Sequence, residues 1–543
     1  MKSSSGESLS VWMDTAQMPE QSFLTANTRA DVCVVGAGIA GLTTAYLLAR
    51  EGNLVVVLEA ATIGGGMTAR TTAHLSNAID DRYYEMERYH GEHGSKLIAQ
   101  SHTAAIAQIE SIAQAENIDC EFERLDGYLF LTPEGIAEEL SRELKAAHRA
   151  GLNEVEFVQR APFGGVDTGP CLRFPNQAQF HPLKYIAGLA QAIQRYGGRI
   201  YTNTRVTDIK AGNYVRVETR NGPFVNAKAV VVATNSPISD RLTIHIKQAP
   251  YRTYVIGMRV PKGAVKKALY WDTTDPYHYV RIQNLTTEAA SQVAQNKQED
   301  LGLQAGQDDQ GENIQDPPKG EYDLLIVGGE DHRTGQEDDA SERYEALEGW
   351  TRERFPKAGE VEFRWSGQVM EPVDGIAFIG HDLLTGPNVY IATGDSGQGM
   401  THGTIAGMLL TDMIMGRPNP WERLYDPARI TGSAAGEFAS DFANIVSQYT
   451  DWLTPGDVQQ ETSIEGESGA IVRRGLLKVA AYRDENGKLH ECAAVCPHLG
   501  CVVQWNSGEK SWDCPCHGSH FDPYGKMISG PSKSNLRRLR KRQ

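Results

Sequence analysis

Apolar positions in this chain of 543 residues fall into short solid runs and longer spaced ones. Val32 to Val35 is a solid run closed by glycine and reads as a strand, and Leu42 to Leu48 starts a helix. Leu54 to Leu58 is a second strand, Ala227 to Val232 a third, and Val389 to Ala392 a fourth. A Gly-rich turn after the last leads into a helix over about Thr401 to Met415. Tyr277 to Ile282 and Tyr322 to Val327 read as the arms of a hairpin. Between them, from about Thr286 to Gly320, the chain is rich in Gln, Asp, Glu and Gly, which predicts a mobile insertion over 286–320. This patterning fades from about Pro420 to Glu465, apart from one amphipathic helix expected over Glu437 to Trp452. Short strands with a turn at Asp484-Glu-Asn-Gly487 then predict a small antiparallel β unit.

The first strand–turn–helix carries chemistry. Gly36, Gly38 and Gly41 stand in G-x-G-x-x-G spacing, as GAGIAG with Ala37, Ile39 and Ala40. Glycines let the turn close and bring backbone N–H groups at a helix N-terminus up to a pyrophosphate. Glu59 ends the second strand, followed by Ala60, where a carboxylate accepts from ribose hydroxyls and repels a 2′-phosphate. The run from Val32 to Ala49 is long enough to score as a membrane span. Its three glycines at turn spacing and the absence of another such run favour dinucleotide binding and no integral membrane segment. The fingerprint alone leaves FAD and NAD open.

Near the other end stand Cys496-Pro-His498 and Cys514-Pro-Cys516-His517. Two thiolates and two imidazoles on two short loops suit a [2Fe–2S] cluster with Cys496 and Cys514 on one iron and His498 and His517 on the other, a Rieske centre. Zinc is the rival, though its usual ligand spacing is C-x2-4-C with H-x3-5-H.

The segments Thr204 to Ile209, Ala227 to Asn235, Trp365 to Gly380 and Val389 to Thr401 resemble the D-amino acid oxidase/glycine oxidase superfamily of FAD oxidoreductases. The resemblance implies FAD as cofactor. It implies contacts from Val206, Thr234, Gly394, Asp395, Gly397, Gly399, Met400 and Thr401, with the last helix aiming its positive end at the flavin. Thr68, Arg70, Thr71, Thr72 and Ala73 fall in a loop that runs under the flavin and its phosphates. Some relatives tether FAD to a His in that loop; Arg70 occupies the position here, so non-covalent FAD is expected. The carboxylate-clamping Arg that many α-amino acid oxidases of the family carry has no counterpart at Gly367-Gln368-Val369, which counts against a simple D-amino acid or glycine oxidase.

CPHLGC and CPCHGSHF resemble the Rieske proteins of cytochrome bc complexes. That resemblance implies a Cys501–Cys516 disulfide between the cluster loops, a Ser519 hydrogen bond to sulfur, and a covering loop at Gly530-Pro531. Phe521 stands where the subfamily has a Tyr, so the cluster potential is expected below the top of the range of about −150 to +300 mV.

Length calls for two to four domains. The expected fold is an α/β FAD-binding Rossmann-like domain (about 28–75, 176–244 and 360–420) with an α+β substrate domain (about 76–175 and 245–359). An N-terminal segment 1–27 precedes them; a linker 421–464, an all-β Rieske domain 465–536 and a basic tail 537–543 follow. The net charge of −16 argues against nucleic-acid partners, and the start shows no export signal, which predicts a cytoplasmic protein. Five of the eight cysteines follow residue 490 and are assigned to the cluster site, leaving Cys33, Cys120 and Cys171 as buried thiols. Candidate catalytic residues are His74, Arg252, Tyr254, Tyr277, Tyr279 and Arg281, with Tyr277, Tyr279 and Arg281 sharing one strand face.

These features predict oxidation of a small amine, amino acid or related substrate. Electrons would pass singly through the cluster to an external acceptor, as in a dehydrogenase. The alternatives are a reductase fed by an external donor through the cluster, or a non-catalytic redox carrier or sensor. No two histidines are five positions apart, so the H-x4-H of a Rieske oxygenase is missing.

Overall fold

The computed structural model describes residues 6–132, 135–164, 166–239, 243–285, 322–382 and 384–539. The insertion expected over 286–320 and residues 540–543 of the tail lie outside them.

The strand Thr28–Val35 lies inside an eight-stranded sheet, parallel to Val55–Leu58 on one side and to Phe224–Val232 on the other. Its residues alternate between two cores: Val32 and Val34 pack into one, Cys33 and Val35 into the other. Burial on both faces is why the sequence shows a solid apolar run here. Arg199–Tyr201 and Val389–Thr393 extend the parallel part, and Phe378–His381 closes one edge antiparallel. The helices Ile39–Arg50 and Gly399–Ile414 pack together against this sheet.

A nine-stranded sheet, mostly antiparallel, forms the second half. The two arms Tyr279–Asn284 and Tyr322–Arg333 pair as expected, and Gln248–Pro261 lies next to Tyr322–Arg333. Cys171–Gln179 and Val361–Pro372 also join this sheet, the latter along Gln248–Pro261. Cys171–Gln179 thus crosses the boundary drawn near 176, and Val361–Pro372 lies beyond the one drawn near 360, because pairing across the sheet decides where they belong.

Asp374 and Arg429 tie the second half to the segment after the flavin-site helix. Arg429 donates to both carboxylate oxygens at 2.7 and 2.8 Å, and Thr431 adds a bond at 2.7 Å. Burial pushes the Asp374 carboxyl up, but Arg429 outweighs it and the pKa falls from 3.8 to about 2. A carboxylate depressed in the folded state stabilises above its unfolded pKa, and this contribution is lost as pH falls toward 2. The shift corresponds to about 2 kcal/mol at neutral pH. Asp374→Asn is expected to lose at least that much at pH 7, with the gap to wild type narrowing between pH 4 and 2. Urea unfolding across pH checks this, and a gap that ignores pH would contradict it.

The C-terminal unit has a three-stranded sheet (Ser468–Arg474, Leu477–Arg483, Leu489–Ala493) and a four-stranded one from Gln504–Asn506 to Met527–Ser529. The helix expected over 437–452 is an α-helix at Ala435–Gln448 followed by a 3-10 turn at Tyr449–Trp452. It touches both units: Asp441 pairs with Arg333, while Tyr449 and Trp452 donate to the carbonyls of Leu499 and Gly500. The N-terminal segment is built in as well, with Val11, Trp12 and Met13 buried and the Trp12 indole N–H donating to Thr71 O. Among the described residues, no helix is long and apolar enough to cross a membrane.

Candidate active site and cluster site

A cavity of about 1140 Å³ opens where the Gly-rich turn meets both sheets. That exceeds the roughly 300–1,000 Å³ usual for one small ligand, leaving space for a dinucleotide and a substrate. Every cofactor residue expected from the sequence lines it except Gly41 and Ala73. Gly36 has φ +107°, and a Cβ there would lie 2.3 Å from Ala233 O. A Cβ on Gly41 would lie 2.0 Å from Gly36 O, so the first turn of the helix closes only on glycine. Thr68 Oγ1 accepts Ile39 N–H at 3.1 Å, and Glu59 accepts the N–H groups of Ala37 and Ala61, each at 2.9 Å. Burial raises the Glu59 pKa. The exposed backbone turn, the acidic strand end and the cavity fit FAD: residues 36–40 would hold its pyrophosphate and Glu59 its ribose. Gly41→Ala is expected to yield folded protein lacking flavin, read as the ratio of flavin to protein absorbance.

The six candidate catalytic residues divide. His74, Tyr277 and Tyr279 line the cavity, whereas Arg252, Tyr254 and Arg281 do not. Arg281 donates to the carbonyls of Thr72, Ala73 and Phe180 and to Gln283, so it braces the loop before His74. Tyr254 points to the opposite sheet face, bonding His332 at 3.0 Å; its neighbour Thr253 faces the cavity and meets the Tyr279 hydroxyl at 2.6 Å. Tyr277 precedes the strand that carries Tyr279 and Arg281, yet its ring lies 5.5 Å from that of Tyr279. His74 is half-buried, and desolvation, with Arg281 nearby, lowers its pKa to about 3 and keeps it neutral, bonded to Thr72 Oγ1 and Val280 O. The cavity also takes Asp80, Asp81 and Tyr251, which the sequence did not single out, together with Asp331, Gln368, Glu371, the strand Met527–Ser529 and Gly530.

Arg252 does different work. It forms an ion pair with Asp513 at 2.7 Å, both side chains at most 5% exposed. Arg70 pairs with Glu509 at 3.0 Å, and Ser366 and Ser8 donate to the same carboxylate. These contacts clamp the C-terminal unit onto the first. Gln368, next to the position where the clamp Arg is missing, turns the same way: its amide donates to Gly518 O at 3.3 Å and its carbonyl meets His520 Nε2.

Cys496 and His498 lie on one loop, closed by Cys496 N–H donating to Cys501 O at 2.9 Å, and Cys514 and His517 on another, closed by Gly518 N–H donating to Cys514 O at 3.0 Å. The rings of His498 and His517 are 4.9 Å apart, and His245 from the first unit packs edge-on against both, at 4.9 and 5.8 Å. Cys501 and Cys516 form a disulfide. Their sulfurs lie within 4.8 Å of Cys514 Sγ, but only Cys514 of the three keeps a thiolate to offer. Ser519 Oγ accepts Ser532 N–H at 3.2 Å, and a Cβ on Gly530 would lie 2.5 Å from Ser519 Cα. The Gly530 turn therefore sits on the cluster loop as expected. Two cysteines and two histidines converging on one place fit a [2Fe–2S] cluster. Cys492 is a correction: its thiol donates to Tyr524 O, so four of the late cysteines, not five, serve this site. Cys33, Cys120 and Cys171 are buried free thiols.

Comparison with known proteins agrees with both sites. The family model for FAD dependent oxidoreductases (DAO) matches residues 31–413. The chain belongs to this family. The model for the Rieske [2Fe-2S] domain matches residues 451–540. The protein is thus an FAD-dependent oxidoreductase carrying a Rieske domain, with FAD and a [2Fe–2S] cluster as cofactors. It is 30% identical over 531 residues, 97% of each chain, to YhfW of Bacillus subtilis (strain 168), named as a Rieske 2Fe-2S iron-sulfur protein. It is 26% identical to the gamma-glutamylputrescine oxidoreductase of Escherichia coli (strain K12), over 71% of this chain and 84% of that one. Among solved structures, glycine oxidase from Geobacillus kaustophilus shares the fold, with a TM-score of 0.58 at 18% identity over 74% of this chain and all of that one.

Proposed function

We propose that this protein is a dehydrogenase of small amines or amino acids that releases its electrons one at a time through the Rieske domain to an external acceptor. The observation that carries this reading is the placement of the cluster ligands against the flavin half, with His245 packed on His498 and His517. Gln368 adds to it by lining the cavity while bonding the residue after His517. When bound, FAD supplies acceptance of a hydride and the cluster supplies single-electron transfer. The substrate's C–H bond next to nitrogen breaks, the hydride leaves, and a proton leaves the nitrogen, giving an imine that water hydrolyses. Asp331 lines the cavity, and burial raises its carboxyl to about 7, which suits it to take that proton. Tyr277 and Tyr279 wall the site, and Thr253 fixes the Tyr279 hydroxyl.

Anaerobic stopped-flow tests the reading. An amine or amino acid substrate should bleach the flavin before the signal of the reduced cluster grows. If the cluster is reduced first, or if no such substrate bleaches the flavin, the reading fails.

A further inference from the structure

Among the carboxylates that line the cavity, Asp80, Asp81, Asp331 and Glu371 interact with one another. Ser396 Oγ donates to Glu371 at 2.8 Å and to Asp81 at 3.3 Å, and Tyr277 donates to Asp80 at 2.7 Å. Asp331 Oδ1 is buried with no hydrogen-bond partner. The Tyr277 and Tyr279 rings stand beside these groups, offering faces that attract an ammonium. Burial, and then repulsion between neighbours, raises Asp81 to about 6 and Glu371 well above the usual carboxylate range.

The cations that line the same cavity are committed elsewhere. Arg70 is held by Glu509 and Arg333 by Asp441. Arg82 donates to the carbonyls of Asp80 and Asp272 and lies 3.8 Å from Glu139, with its Nε–H unbonded; Arg205 donates to Ile528 O, and Lys533 pairs with Asp208. A substrate carboxylate entering beside Asp81, Asp331 and Glu371 would meet acidic walls, and the guanidinium beside Asp80, Arg82, is turned onto two backbone carbonyls. An ammonium would relieve the repulsion between the carboxylates, and a second ammonium would relieve more.

We infer that the cavity selects an amine with two or more ammonium groups and no carboxylate, an α,ω-diamine or longer polyamine. This rests on the amine-oxidising reading above and narrows it. Asp81 and Glu371, joined through Ser396, form one ammonium subsite. Asp80 and Asp331, with the two tyrosine faces, form the other.

Calorimetric titration of the FAD- and cluster-loaded full chain, reduced with dithionite so that no turnover occurs, tests this. The probes are 1,4-diaminobutane, 1-aminobutane and 4-aminobutanoate. The diamine should bind at least about tenfold more tightly than the monoamine, and the carboxylate-bearing amine most weakly. In Glu371→Gln and Asp81→Asn, each checked for an unchanged melting temperature, the diamine advantage should fall below about threefold. Equal binding of monoamine and diamine, or tightest binding of 4-aminobutanoate, overturns the inference. Wild-type selectivity decides the matter alone if a variant folds poorly. Anaerobic flavin bleaching with the same compounds separates the two readings. Selective diamine binding without bleaching by any amine or amino acid leaves the selectivity standing and sinks the oxidation. Bleaching by monoamines or amino acids without a diamine advantage does the reverse.

Discussion

Arg252→Met is expected to cost about 3–5 kcal/mol and to loosen the Rieske domain from the flavin module. Arg252 Nη2 lies 2.7 Å from Asp513, and its Nη1 donates to Ser366 Oγ at 2.8 Å. Burial opposes the Arg252 charge, but Asp513 and Glu509 outweigh it and raise the pKa. Burial likewise opposes ionisation of Asp513, and His520 and Arg252 reverse this, holding its carboxyl far below the usual range. Removing the guanidinium leaves two buried carboxylates, Asp513 and Glu509, short of positive charge. The cost is therefore that of an uncompensated charge rather than of one lost bond. Guanidinium unfolding of the cofactor-loaded protein measures the loss. Limited proteolysis should show faster cutting between residues 421 and 464, the stretch that joins the two units. A change below about 1 kcal/mol would mean the pair does not hold the units together.

The parts of this molecule that the sequence discloses are those whose chemistry is local. Gly36 and Gly41 are forced by backbone that lies five residues away or at the end of the adjoining strand, and a Cys/His quartet on two short loops has few other uses. Arg281 and Tyr254 mislead for a different reason. An arginine on a strand reads the same whether it faces a substrate or the carbonyls of Thr72 and Ala73. The parity of one residue sends Tyr254 away from the cavity and Thr253 into it.

The contacts between the two units leave no periodic trace. Ser8, Arg70, Ser366 and Glu509 meet around one carboxylate although neighbours in sequence among them are at least 62 positions apart, and nothing in the segment of any one of them points to the other three. The acidic cavity is built in the same way, from a pair at Asp80 and Asp81 and single residues on two distant strands. Gln368 serves two places at once. It lines the cavity beside the position where the family's clamp arginine is missing, and its amide bonds the cluster loop and His520.

Cys496→Ser is expected to remove the cluster and to lower turnover with a one-electron protein acceptor by at least about a hundredfold, while substrate still bleaches the flavin. Serine offers a hydroxyl where iron needs a thiolate, and Cys514 alone cannot hold the two-cysteine iron. The substitution touches nothing in the cavity: Cys496 is buried in the C-terminal core, with Cys501, Val502 and Trp512 among its cluster of neighbours, and does not line the cofactor site. The Cys501–Cys516 disulfide still ties the loops, so the flavin half keeps its partner surface. Loss of the reduced-cluster signal in electron paramagnetic resonance, with an unchanged rate of flavin bleaching in anaerobic stopped-flow, is the expected pair of results. Should the flavin instead stay oxidised when substrate is added to Cys496→Ser, electrons must reach it through the cluster, and the flow proposed for this enzyme runs the other way.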